Sequence, residues 1–118
     1  MNRYWTKLGV FEGLGYNPSW GVLHRLGGPA VEYADGSEEW WVENVLHRAD
    51  GPAVINAHST QWWYNDHRHR EDGPALVYSN GDYTWWLNDR VLTLEQYIKY
   101  NPSLKTDAER TMFYLKWK

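Results

Sequence analysis

One octapeptide is written three times along the chain, and it constrains the fold more than any other feature. Leu46-His47-Arg48-Ala49-Asp50-Gly51-Pro52-Ala53 stands in the middle. Leu23-His24-Arg25-Leu26-Gly27-Gly28-Pro29-Ala30 precedes it and Arg68-His69-Arg70-Glu71-Asp72-Gly73-Pro74-Ala75 follows. After each copy comes a tryptophan pair: Trp40-Trp41, Trp62-Trp63 and Trp85-Trp86. The units run Leu23 to Val45, Leu46 to His67 and Arg68 to Arg90. A unit this short cannot bury a face alone, so neighbours must stack and share a core.

Turn residues place strands within each unit. A short run after the proline ends at a polar tip, Asp35-Gly36 in the first unit and Asn80-Gly81 in the third. The middle unit is one residue shorter, and the deletion falls in the matching loop, Asn56-Ala57-His58-Ser59-Thr60. A strand holding the tryptophan pair follows, then a second tight turn at Glu43-Asn44, Asn65-Asp66 or Asn88-Asp89. Asp-Gly and Asn-Gly between apolar runs are strong hairpin signals because both residues accept positive φ. The expected fold is therefore mainly β, an antiparallel meander with two strands per repeat.

The flanks differ. Residues 1–22 carry Gly13, Gly15, Asn17-Pro18 and Gly21, which predicts an irregular lead-in of turns and short extended pieces whose end, Trp20-Gly21-Val22, is the tail of a worn repeat. From Val91 onward the period becomes helical. Thr93-Leu94-Glu95-Gln96 and Thr106-Asp107-Ala108-Glu109 are capping boxes. They predict a helix from Leu94 to Tyr100, stopped before Pro102, and a second running towards Trp117 with Met112, Phe113 and Trp117 on one face. This C-terminal pair of helices, residues 91–118, is expected to cap the sheet in one domain spanning 1–118.

Composition narrows the partners. Fifteen acidic and twelve basic side chains leave a net charge of −3, so neither nucleic acid nor an anionic membrane is an expected partner. There is no cysteine, which removes disulfides and thiolate metal sites. No run approaches the ~20 apolar residues of a membrane span, and the opening residues do not read as a signal peptide. The expectation is a soluble cytoplasmic protein without a cofactor. His67 and His69 could share a face, but no third metal ligand accompanies them. Glu38 and Glu39 have no acidic counterparts in the other repeats, and no phosphate loop or nucleophile elbow is present, so neither metal binding nor catalysis is expected.

The period, the hairpin per repeat and the Gly and Trp punctuation of Leu23 to Arg90 resemble MORN-type repeats. The form His-Arg-x-Asp-Gly-Pro-Ala followed by Trp-Trp is similar to repeat proteins of tailed bacteriophages and some bacteria. Gly27 departs from it where the other copies have Asp50 and Asp72, and the His-Gly-x-Gly run of common MORN repeats is absent. The resemblance implies an accessory protein of the host cytoplasm that binds, and inhibits, a host defence or metabolic protein.

Strand parity suggests where such binding would occur. Adjacent residues of a strand point to opposite faces, so each tryptophan pair puts one ring on each side. Val42, Tyr64 and Leu87 flank the first rings, whereas polar residues flank the second, which predicts Trp40, Trp62 and Trp85 in the core and Trp41, Trp63 and Trp86 on a wetter face. Equivalent strands lie roughly 9.5 Å apart, so the outer rings are expected to form a ladder with slots open to a planar group, unless Glu32, Ile55, Val77 or their neighbours fill them. Candidate binding residues are Trp41, Trp63 and Trp86 with Glu43, Asn65 and Asn88 beside them, helped by Arg48 and Arg70. The arginines have a second reading as clamps of the Gly-Pro corner through Asp50 and Asp72. A protein partner is expected, with a nucleotide signal or a sugar as alternative ligands and self-association left open.

Overall fold

Two kinds of turn alternate along the repeats and close their hairpins. The structure is a computed structural model that describes residues 1–118. Its strands are β1 (Asn2–Thr6), β2 (Gly9–Gly13), β3 (Val31–Glu32), β4 (Glu38–Glu39), β5 (Trp41–Val42), β6 (Val45–Leu46), β7 (Val54–Ile55), β8 (Ser59–Gln61), β9 (Trp63–Tyr64), β10 (His67–Arg68), β11 (Leu76–Tyr78), β12 (Tyr83–Leu87) and β13 (Arg90–Leu92). Two helices follow, α1 (Leu94–Tyr100) and α2 (Asp107–Trp117). The first kind of turn closes β3–β4 and β11–β12 around Gly36 and Gly81, at φ 91° and 94°. The shorter middle unit closes without glycine, Asn56 donating its N–H to the Ser59 carbonyl.

The second kind has positive φ at both central residues: Glu43 and Asn44 at 49° and 64°, Asn65 and Asp66 at 50° and 67°, Asn88 and Asp89 at 48° and 68°. This is the turn whose twist matches a two-residue hairpin, and asparagine and aspartate tolerate it at little cost. Glu43 is the one residue of the six without that tolerance.

The first hairpins join a nine-stranded antiparallel sheet in the order β13-β12-β11-β8-β7-β4-β3-β1-β2. The second hairpins, β5–β6 and β9–β10, form separate two-stranded pieces. The ladder breaks at Trp40 and Trp62, because each bonds into the next repeat on both sides. Trp40 donates to the Ala53 carbonyl and accepts from the His47 N–H, and Trp62 does the same with Ala75 and His69. The third unit has no successor, so β12 runs unbroken through Trp85 and pairs with β13.

The lead-in is more regular than expected. Tyr4-Trp5-Thr6 repeats the bonding of Glu39-Trp40-Trp41: Trp5 donates to the Ala30 carbonyl and accepts from His24. Thr6 bridges Leu23 as Trp41 pairs with Leu46. The worn repeat is therefore β1 plus Val22 and Leu23, with residues 8–21 in place of a two-residue turn. Only Pro18–Trp20 of that insertion is helical, as a single 3₁₀ turn. Trp20 stacks on Phe11 at 5.1 Å and leans on Tyr4, so the insertion seals this end over Tyr4, Leu23, Ala30 and Val31.

At the other end both capping boxes form as expected, Thr93 with Gln96 and Thr106 with Glu109. The helices close over Trp85, Leu87 and Tyr97, with Phe113 and Trp117 packed against them. Met112, expected on the same face, is exposed instead. Buried Tyr97 donates its hydroxyl to the Arg70 and Gly73 carbonyls, and burial raises its pKa well above the ordinary tyrosine value. No helix is long and apolar enough to cross a membrane.

Candidate functional site

Each tryptophan pair divides its rings between two differently built sides. On one side the first ring lies beneath the arginine of the following octapeptide: Arg25 over Trp5 at 4.0 Å, Arg48 over Trp40 at 3.7 Å, Arg70 over Trp62 at 3.9 Å. Each arginine also donates Nη1 to the carbonyl of its Gly-Pro turn, at 3.1, 3.1 and 3.0 Å from Pro29, Pro52 and Pro74. Beneath these corners Ala30, Ala53 and Ala75 are each 0% exposed.

The predicted aspartate clamp is present in two copies, Arg48 to Asp50 at 3.0 Å and Arg70 to Asp72 at 2.8 Å. Repeat one tests its weight, since Gly27 replaces the aspartate and Arg25 reaches Glu32 instead, yet the ring stack and carbonyl bond are unchanged. The two aspartate side chains are 85% and 86% exposed, where such pairs contribute about 0.2–1 kcal/mol. The ring and the carbonyl therefore define the corner. The turn glycine makes room for it, because a Cβ on Gly28, Gly51 or Gly73 would sit 2.7, 2.8 or 2.6 Å from the arginine.

The histidines belong to the same scaffold. His24, His47 and His69 each accept, at Nδ1, the N–H of the first turn residue in their own unit, Glu43, Asn65 and Asn88, all at 3.0 Å. Each ring then carries its proton on Nε2. In the third unit this Nε2 meets Glu71 at 2.7 Å, and the other oxygen of Glu71 accepts from Ser103. The Ser103 and His69 bonds hold the Glu71 carboxyl below its ordinary pKa. The hydroxyl points at the carboxylate and not at the imidazole, so the chain fixes the 101–103 loop and does not activate a nucleophile. His67 is paired separately, with Asp89.

Arg48 and Arg70 line a groove of about 600 Å³ between the second and third corners, with Asp50, Trp62, Glu71 and Ser103. Both guanidiniums are engaged within the protein, and their side chains are only about a fifth exposed. Glu43, Asn65 and Asn88 are exposed turn residues whose backbone serves the histidines, and Glu43 pairs with Lys7. None of these five joins the indole ladder.

On the opposite side the second rings are held differently. The indole N–H of Trp41 donates to Glu39 at 3.0 Å, of Trp63 to Gln61 at 2.9 Å and of Trp86 to Thr84 at 2.7 Å, each two residues back on the same face. All three rings are half-buried. The parity reading therefore needs correction in depth. Trp85 is a core residue, 6% exposed, but Trp40 and Trp62 are half-buried beneath arginines, and Trp41 packs against the N-terminal core.

The slots are also closed. Cross-strand register sets Leu46 opposite Trp41, Arg68 opposite Trp63 and Val91 opposite Trp86. Arg68 lies 4.8 Å from both Trp63 and Trp86, and Leu46, whose carbonyl accepts from Asp66 as that of Arg68 accepts from Asp89, takes the equivalent step from Trp41. Neither Glu32, Ile55 nor Val77 fills these positions. The sequence signal existed, since Leu23, Leu46 and Arg68 each open an octapeptide, but only hairpin register brings them to the rings. No family model, curated protein or solved structure matches this chain.

Proposed function

We propose that this chain is a non-catalytic binding protein that meets a protein partner with the face carrying Trp41, Trp63 and Trp86. The observation that carries the reading is the state of those rings: half-buried, their N–H groups satisfied, and spaced by Leu46 and Arg68. A rigid aromatic surface loses little side-chain entropy on association, which favours Trp as an interface anchor. Closed slots favour contact across the ladder over sandwiching of a nucleotide base. The resemblance of the octapeptide to phage-borne repeats supports a bacterial host protein as partner, with inhibition as the outcome of stoichiometric binding.

The test is in two parts. Tryptophan fluorescence titrated with nucleotide and oligosaccharide panels should stay flat. A partner captured from bacterial lysate should be lost on Trp63→Ala while the circular dichroism spectrum is retained. Saturable quenching by a nucleotide or sugar would replace the protein reading, and unchanged capture by the folded variant would remove the ladder from it.

A further inference from the structure

The side chains taking successive steps along the ladder are Leu23, Leu46, Arg68 and Val91, and Arg68 alone is charged. Leu46 shows what folding asks of the step: an apolar group. Arg68 puts a guanidinium there, and its bonding is incomplete. Arg25, Arg48 and Arg70 each have a carboxylate, Glu32, Asp50 and Asp72, whereas Arg68 has none. Its Nη2 donates to Gln61 Oε1 at 3.1 Å. Its Nε is buried without an acceptor, and Nη1 has no protein acceptor and is not fully buried.

Desolvating a cation whose guanidinium has no carboxylate bonded to it is costly. Two indole faces and the nearby charge of Asp89 offset part of that cost, yet burial still lowers the guanidinium pKa from its ordinary value. The neighbouring unit solves the same packing problem with leucine. A costlier residue where the repeat's own copy uses a cheaper one marks a position chosen for something besides folding.

We infer that Arg68, held between the rings of Trp63 and Trp86, is an anion-recognition point, and that its ligand is the carboxylate of an Asp or Glu side chain on the partner. The inference rests on the reading of the ladder as the partner-facing surface. Nη1 and the remaining N–H of Nη2 are donors without a protein acceptor, and a guanidinium can offer such a pair to the two oxygens of a carboxylate. Charge selects carboxylate over phosphate. One unpaired cation balances one negative charge, and Asp89, which accepts the N–H of Arg68 itself, would repel a phosphate carrying close to two.

The experiment follows the Arg68 Nε–H and the Trp63 and Trp86 indole signals by NMR. The intact protein is titrated with N-acetylglutamate amide, N-acetylglutamine amide and inorganic phosphate. All three signals should shift saturably with the glutamate probe alone. A stronger response to phosphate would overturn the carboxylate assignment, and no saturable response to any probe would overturn the site. Arg68→Leu, which copies Leu46, should leave the unfolding midpoint unchanged or raised while abolishing the response. A lowered midpoint would make the cation a folding element and sink the inference. In partner capture Arg68→Leu should weaken binding at least tenfold. If Trp63→Ala abolishes capture and Arg68→Leu does not, the carboxylate contact is wrong and the ladder reading stands. If neither variant affects capture, the ladder reading itself falls.

Discussion

On the corner side, Trp40 and Trp62 lie under arginines that are themselves bonded to proline carbonyls and aspartates. On the ladder side, Trp41, Trp63 and Trp86 have satisfied N–H groups, but the residues between and beneath them change from step to step. The corner repeats the same bonds three times, even where Gly27 removes the aspartate. The ladder uses Glu39, Gln61 and Thr84 as acceptors and Leu46, Arg68 and Val91 as spacers. Within one chain of copies, bonds that recur identically serve stacking, because every interface between units poses the same problem. Positions free to differ are where a binding surface can be varied without unfolding it.

The widest gap between the sides is expected at the C-terminal corner, where Trp85 takes the helical cap in place of an arginine. Trp85→Ala should cost about 3–5 kcal/mol, read as a lower midpoint in urea. A loss near that of a half-buried ladder ring would mean that the cap contributes little. Next comes Gly73→Ala, whose Cβ would press on Arg70 at 2.6 Å. Forcing the arginine off Trp62 should cost about 1–3 kcal/mol, and Arg70→Ala in the same background should recover part of it by removing the clash.

Acid should weaken the third unit first. Hydrogen bonds from Ser103 and His69 hold Glu71 below its ordinary pKa, and bonds from His67 and the Arg68 N–H do so for Asp89. A carboxylate depressed in the folded state adds stability above its unfolded pKa and loses it as pH falls through the folded value. The urea midpoint should therefore hold near neutrality and decline below about pH 4, less steeply in Glu71→Gln. An identical decline in that variant would remove Glu71 as a cause. The smallest effect is a gain: Glu43→Asn relieves a glutamate at φ 49° and should stabilise by about 0.5 kcal/mol. Its exposed pair with Lys7 adds too little to offset this.

Much of this fold was legible because its signals are local. Turn residues that accept positive φ, the deletion at Asn56 to Thr60 and both capping boxes act within a few residues of where they are read. The worn first repeat was harder to see, since Tyr4-Trp5-Thr6 shares a single tryptophan with its counterparts and residues 8–21 separate it from Leu23. Ring depth was legible only at Trp85, which is in the core as expected. Alternation assigns a side to each indole, but whether it is buried depends on what the next unit lays over it, and Arg48, Arg70 and Tyr97 come from outside the strand. Arg68 escaped for the same reason, because a two-residue hairpin carries it back to Trp63 of the preceding unit and a later strand of its own unit brings Trp86.

Trp62 and Trp63 are adjacent in sequence and face opposite sides, so truncating each in turn separates the two roles most directly. Urea midpoint and partner capture would be measured together on Trp62→Ala and Trp63→Ala. The expected result is a crossing: Trp62→Ala loses more stability and still captures the partner when folded, while Trp63→Ala stays folded and loses it. Equal losses of stability with equal capture in both variants would contradict the division of the sheet into a folding side and a binding side.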